Sequence, residues 1–337
     1  MLLNWPVAAL AYEGELLLFP ELSSAHQSNA PPGEQTTTNE FQLDTFYTAS
    51  HERLRFLAEF VLSREERDME RMQVGWVATP SSTIWLGRFH SPIGYWNMEF
   101  HHGSYLTTAI ERPSLIQFED DGGVLPVHIS GLLLENASDS PISYSVGVGL
   151  GPNLSADGLT AVNILAPKKE NARLAIAAKV AYQPNADNTD EFNVFTARTR
   201  IPAQDLAING LTQTVIGTAF NRETDKLRLI GELYVINSRI DAPAARIGSH
   251  TFTSAYIQAD YAAQPRWTLY ARLEDSAHVV NDPYLNILPS FNKGRVLSGV
   301  RYGLAHNQAI KFELSRTRRL DRLDYSEAAL QWSAVFP

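Results

Sequence analysis

Apolar and polar residues alternate with a period of two along most of this chain, and helical spacing is almost absent. Trp267, Leu269, Ala271 and Leu273 alternate with Thr268, Tyr270, Arg272 and Glu274. Ile310, Phe312 and Leu314 alternate with Lys311, Glu313 and Ser315. Leu54, Phe56, Ala58, Phe60 and Leu62 alternate with Arg55, Glu59 and Ser63, and Leu174, Ile176, Ala178, Val180 and Tyr182 with Arg173 and Lys179. Each run holds about ten residues, the length a tilted strand needs to cross a bilayer. Soluble sandwiches and soluble barrels alternate too, but their strands run about five or six residues.

The connections alternate between short and long. Short ones fall near His51, Pro80, Asp139, Asn188, Glu223, Pro265 and Asn307, and long ones occupy 91–123, 151–171, 238–249 and 277–294. Short turns at one rim opposite long loops at the other characterise membrane barrels. The segments number about sixteen. They centre near Glu15, Leu43, Ala58, Val74, Leu86, Gly131, Val146, Ala177, Phe195, Ile216, Gly231, Tyr256, Tyr270, Val300, Phe312 and Leu330. The pattern therefore predicts an all-β fold: one antiparallel transmembrane β-barrel over residues 1–337, with a long inward-folded loop at 91–123. Residues 28–38, with Pro31, Pro32 and Gly33, read as a polar loop. The last strand alternates from Tyr325 to Phe336, followed by Pro337. Outer-membrane barrels commonly end in such a strand, and closure onto the first strand would remove both exposed edges.

Composition narrows the classes. Of 337 residues, 44% are hydrophobic and 19% charged, which argues against disorder. A formal net charge of -9 argues against general nucleic-acid binding. The absence of cysteine excludes thiolate metal sites, disulfides and Cys nucleophiles. No stretch matches the roughly 18 to 20 apolar residues of a membrane helix; the longest apolar-leaning run, 7–20, is broken by Glu13 and Glu15. The start lacks the basic region of a signal peptide, although Ala9-Leu10-Ala11 resembles a cleavage site, and it reads as truncated or already processed.

Chemistry-bearing residues concentrate between Trp85 and His128. Gly87-Arg88-Phe89-His90-Ser91-Pro92-Ile93-Gly94 is followed by Glu99, His101 and His102, then Glu111, Glu119, Asp120 and Asp121. This run resembles the Gly-Lys/Arg-Phe-x-x-Pro pattern at a strand end in porins related to the phosphate-selective group. The resemblance implies a sixteen-stranded porin barrel whose long loop after the fifth strand folds inward and narrows the channel, often in a homotrimer. Phosphate-selective porins line their channels with lysines; this chain has few, so that selectivity does not carry over.

Other chemistry reads more weakly. His90, Glu99, His101 and His102 are candidate ligands for a divalent metal, but adjacent His residues on a strand point to opposite faces and no established ligand spacing is present. No Gly-x-Ser-x-Gly elbow supports catalysis. Gly147-Val148-Gly149-Leu150-Gly151 lacks a following helix pattern, so these glycines read as points of close backbone packing. Trp5, Trp76, Trp85, Trp267, Trp332, Tyr12, Tyr47, Tyr302 and Tyr325 lie near strand ends, as interfacial girdles require, whereas Trp96 sits in the long loop.

The function expected is passive diffusion of small hydrophilic solutes or ions through the bacterial outer membrane, with lipid around the barrel and no enzyme activity, cofactor or nucleic-acid partner. Alternatives are a metal-selective uptake channel using the His-rich loop and a non-transport scaffold barrel. Alternation places Arg55, Arg71, Arg88, Arg173, Arg228, Arg272 and Arg301 on the inward face. Glu99, Glu111, Glu119, Asp120 and Asp121 lie on the loop opposite them. Together with His90, His101 and His102, the first three arginines and the loop acids are the expected constriction residues, forming a transverse field across the narrowest point. Ser104 is expected to cap a short helix from Tyr105 to Ile110, stopped before Pro113.

Overall fold

A computed structural model describes residues 13–29, 36–64, 67–100, 103–119, 122–137, 140–162, 173–184, 189–204, 206–242, 248–288, 291–320 and 323–337. The long alternating segments pair antiparallel with their neighbours. In chain order they are β1 (Glu13–Gln27), β2 (Thr37–His51), β3 (Leu54–Ser63), β4 (Arg67–Thr79), β5 (Ser82–His90), β6 (His128–Asn136) and β7 (Ile142–Leu150). A small hairpin, β8 (Asn153–Ser155) with β9 (Gly158–Thr160), pairs separately from the wall. The wall continues with β10 (Leu174–Tyr182), β11 (Glu191–Pro202), β12 (Gly210–Glu223), β13 (Leu227–Asp241) and β14 (Ser249–Gln264). It ends with β15 (Trp267–Ala277), β16 (Asn292–Ala305), β17 (Gln308–Arg319) and β18 (Tyr325–Ala334). All of these except the hairpin form one closed barrel of sixteen strands.

Closure is made by β1 and β18, from Glu21 opposite Ser333 to Gln27 opposite Glu327. Beyond β18, Phe336 bridges to Leu18 through two 2.8 Å backbone hydrogen bonds. Every strand therefore has two partners, the condition for burying backbone in hydrocarbon. The connection 242–248 is shorter than expected, because β13 and β14 extend the ladder past Ser238.

The outward positions make an apolar exterior. Leu54, Phe60, Leu174, Ile176, Leu269, Leu273, Ile310 and Phe312 are all exposed, and Phe56 is half-buried against Tyr47. A continuous exterior of this kind around a closed barrel is a hydrocarbon-facing surface. Near the short turns it carries Trp76, Tyr144, Tyr182, Tyr261 and Trp267, the last packed on Tyr302 at 4.6 Å between ring centres. Trp85 departs from the expected girdle. Its ring lies over Gly75, where a Cβ would come within 2.6 Å, and its indole N–H donates to Glu135 at 2.7 Å, on the inward face. Trp5 and Tyr12 lie outside the described residues.

Candidate functional site

The described residues of the connection from β5 to β6, 91–100, 103–119 and 122–127, cross the lumen. Gly94 has φ +69°, a conformation open to glycine, and the turn aims the next two backbone N–H groups at β13. Tyr95 and Trp96 N–H both donate to Glu232 Oε1 at 2.6 Å, while the Tyr234 hydroxyl donates to Oε2 at 2.5 Å. A one-turn helix, α1 (Trp96–Glu99), follows. Arg228 of β13 lies 4.8 Å from the Phe100 ring centre and donates to the Tyr95 hydroxyl at 3.1 Å.

The loop then reaches the opposite wall. Gly103 N–H donates to Asp44 of β2 at 3.3 Å. Lys311 of β17 donates to the Ser104 carbonyl and to Thr107 Oγ1. Thr108 donates to Asp260 at 3.0 Å, and Ile110 and Glu111 N–H donate to the two oxygens of Glu313 at 3.0 and 3.3 Å. Arg272 donates to the Glu111 carbonyl at 2.7 Å, Arg295 pairs with the Glu111 carboxylate at 2.9 Å, and Ser114 N–H donates to Glu274 at 2.8 Å. Main-chain groups withdrawn from water need partners, and here wall carboxylates and cations supply them.

The return limb is fastened from within. Glu119 Oε1 accepts the N–H groups of Val127 and His128 at 2.8 and 2.9 Å, and Oε2 meets His128 Nδ1 at 2.7 Å. Burial opposes its charge, but His128, the nearby Arg88 and the backbone donor hold the Glu119 carboxyl below its ordinary 4.5. Val124 carbonyl accepts from Gln213 and from the Tyr284 hydroxyl.

Both limbs carry apolar side chains into one cluster with the wall. Phe89, Trp96, Ile116 and Leu125 pack with Phe195, Tyr234, Phe252 and Tyr256. The cluster fills the side of the lumen bounded by β11 to β14. A recess of about 280 Å³ remains beside β1, β2 and β18. Its charged lining is Glu21, Glu40, Asp44 and Glu327 from the wall, with Glu111 and Arg112 from the loop.

The expected constriction residues are dispersed rather than gathered. Arg55 bonds to the carbonyls of Glu52 and Leu54 at a short turn and lines a separate recess with Glu13 and Glu15. Arg71 pairs with Glu59 at 2.5 Å, and Arg88 with Asp68 and Glu70 at 3.1 and 3.3 Å. Arg88 is buried although Leu86 faces out, because Gly87 at φ +142° interrupts the alternation. His90 packs edge-on against His128, with ring centres 5.4 Å apart. Glu99 closes α1 and is exposed. Arg228, Arg272 and Arg301 reach the loop, whereas Arg173 borders a recess on the outer surface. His101, His102, Asp120 and Asp121 lie outside the described residues. Among the described residues no group of three His, Asp or Glu side chains is placed to hold a metal.

The helix expected over Tyr105 to Ile110 is instead a single 3₁₀ turn, Ser104–Leu106, preceded by Gly103 and without a side-chain cap. The glycines of the Gly147–Gly151 run do mark close packing: a Cβ at Gly147 would meet the Phe89 ring at 2.7 Å, and one at Gly151 would meet Thr199 at 2.5 Å. Sequence reasoning missed Asp44, Glu232, Glu274 and Glu313 as loop anchors. Their strand parity marked them inward; nothing local named the loop amides as their partners.

No family model matches this sequence, and no curated protein matches it. Solved structures do. OmpT, an outer membrane protein of Vibrio cholerae, is similar with a TM-score of 0.65 at 8% identity over 96% of this chain and 98% of that one. An anion-selective porin from Comamonas acidovorans gives 0.64 at 14% identity, over 96% and 100%. The outer membrane channel DcaP of Acinetobacter baumannii gives 0.61 at 11% identity, over 96% and 97%. These likenesses extend across porins and channels and do not single out the phosphate-selective group. The chain has the sixteen-stranded barrel fold of bacterial outer-membrane porins.

Proposed function

We propose that this protein is a passive outer-membrane channel for small hydrophilic solutes that favours cations. The observation carrying this reading is the recess between the loop and the wall of β1, β2 and β18, where four wall carboxylates, those of Glu21, Glu40, Asp44 and Glu327, face one arginine, Arg112. In a narrow passage with low-dielectric walls, fixed charge of one sign concentrates the opposite ion. The arginines of β15 and β16 do not offset this strip, because Arg272 and Arg295 lie against the loop and are committed to Glu274 and Glu111. The transverse field expected from the sequence is thus recast. Its acidic side is the wall of β1, β2 and β18, and its basic side lies on the other side of the loop. A scaffold barrel would need no such wetted strip, which favours transport over that alternative and over catalysis.

Reversal potential in a planar bilayer under a potassium chloride gradient tests the reading. The native channel is expected to be cation-selective, and the triple variant Glu21→Gln, Glu40→Gln, Glu327→Gln to shift toward anions. A native channel that passes anions preferentially, or a triple variant with an unchanged potential, would overturn it. The anion selectivity named for the Comamonas porin belongs to that protein; at 14% identity the likeness is one of fold.

A further inference from the structure

The apolar exterior is interrupted at one place near the long-loop rim. Along the outward face of β11, exposed Phe192 and Val194 give way to Thr196 and then to Arg198 and Arg200. The ladder sets Thr214 beside Arg198 and Thr212 beside Arg200 on β12, then Asn237 and Arg239 beside those on β13. Two outward rows result: Arg198–Thr214–Asn237 and, nearer the rim, Arg200–Thr212–Arg239. They line a recess of about 650 Å³ to which Arg173 also contributes, with Asp241 as its one carboxylate.

The guanidinium groups of Arg173, Arg198, Arg200 and Arg239 make no hydrogen bond or ion pair within the chain among the described residues. By contrast, Arg318 on the outward face of β17 is paired with Asp275 of the same chain. Four guanidinium groups around one recess repel each other unless an anion joins them. The guanidinium fork fits phosphate oxygens two at a time, and the flanking threonine hydroxyls add donors. Directly below these rows lie exposed Val194, Ile216 and Val235, part of the hydrocarbon-facing belt. A ligand spanning both zones has an anionic head and acyl chains.

We infer that the outward recess on β11 to β13 binds the phosphorylated headgroup of an outer-leaflet glycolipid, with Arg198, Arg200 and Arg239 on the phosphate and the acyl chains on the belt beneath. Free phosphate shares the head chemistry but has nothing to place on that belt, so the lipid is the occupant proposed. The inference is independent of the channel reading, since these side chains face away from the lumen.

Native mass spectrometry and thermal unfolding of the full chain in neutral detergent, with diphosphorylated lipid A added, provide the test. The native protein is expected to retain a bound lipid A and to unfold at a higher temperature with it. Arg198→Gln with Arg200→Gln and Arg239→Gln is expected to lower the affinity about ten-fold or more, at roughly 1.4 kcal/mol per ten-fold. Arg318→Gln should bind as the native protein does, and neither phosphatidylcholine nor inorganic phosphate should give the shift. Equal lipid A binding by the native and triple-variant proteins would overturn the assignment. So would inorganic phosphate displacing the lipid and reproducing the whole stabilisation, which would make the recess a free-phosphate site. Barrel closure in the triple variant is checked by its unchanged single-channel conductance.

Discussion

Glu119 serves three donors with two oxygens, and its charge strengthens each of those bonds. The folded carboxyl titrates below 4.5, and the unfolded one near it. The stabilisation it contributes is therefore complete above that value and is lost as pH falls through the lower, folded value. Glu119→Gln keeps one acceptor oxygen and the shape but removes the charge. The expected loss at about pH 7 is roughly 1.5 to 3 kcal/mol, the range for hydrogen bonds to a charged group. The deficit should narrow once the native carboxyl is itself protonated. Thermal unfolding by circular dichroism at about pH 7 and about pH 3 reads both values, and a deficit equal at the two would show that the charge is irrelevant. Gly94 poses a different constraint. Beyond its φ of +69°, a Cβ there would come within 2.8 Å of Glu232 Oε2 and displace the carboxylate that receives Tyr95 and Trp96.

At the scale of the element, the loop is held chiefly through its main chain. That is why its side chains predicted so little about its course. The strands were legible because alternation repeats over many residues and each repeat states the same face; Lys311 and Glu313 could already be placed inward on that basis. The helix over Tyr105 to Ile110 failed because its donors and acceptors are claimed from outside. Lys311 takes the Ser104 carbonyl, and Glu313 takes the N–H groups of Ile110 and Glu111. Thr107 and Thr108, β-branched and hydroxyl-bearing, favour such local alternatives to a helix. Two of the expected loop acids are likewise engaged in pairs, Glu111 with Arg295 of the wall and Glu119 with His128. Gly94→Ala therefore tests the loop as a unit. It should cost more than about 1 kcal/mol at this positive φ and detach the first anchor. Single-channel conductance should become larger or noisier, while the heat-resistant barrel band on gels persists. Conductance identical to native, with the barrel intact, would mean that Glu232 does not fix the loop.

The whole molecule is filled on one side only. Apolar residues of both loop limbs complete a core against β11 to β14, and polar wall faces the recess at β1, β2 and β18. Strand parity could place residues such as Lys311 and Glu313 inward but not show this division, because Ala25 and Ala219 share the same parity on their strands and differ only in what the loop places opposite them. The chain contains no cysteine, so single-cysteine variants report without background. Ala25 lines the recess, whereas Ala219, 2% exposed, belongs to the packed cluster. In detergent, Ala25→Cys should react readily with a water-soluble cationic thiol reagent. Ala219→Cys should react only through local opening of the packed side, and so on the order of ten-fold or more slowly. Modification at Ala25→Cys should also lower conductance, because it adds bulk and positive charge beside Glu21 and Glu327. Equal rates at the two positions would mean that water reaches both sides of the loop. The passage would then not be confined to the carboxylate strip, and the cation preference drawn from that strip would lose its basis.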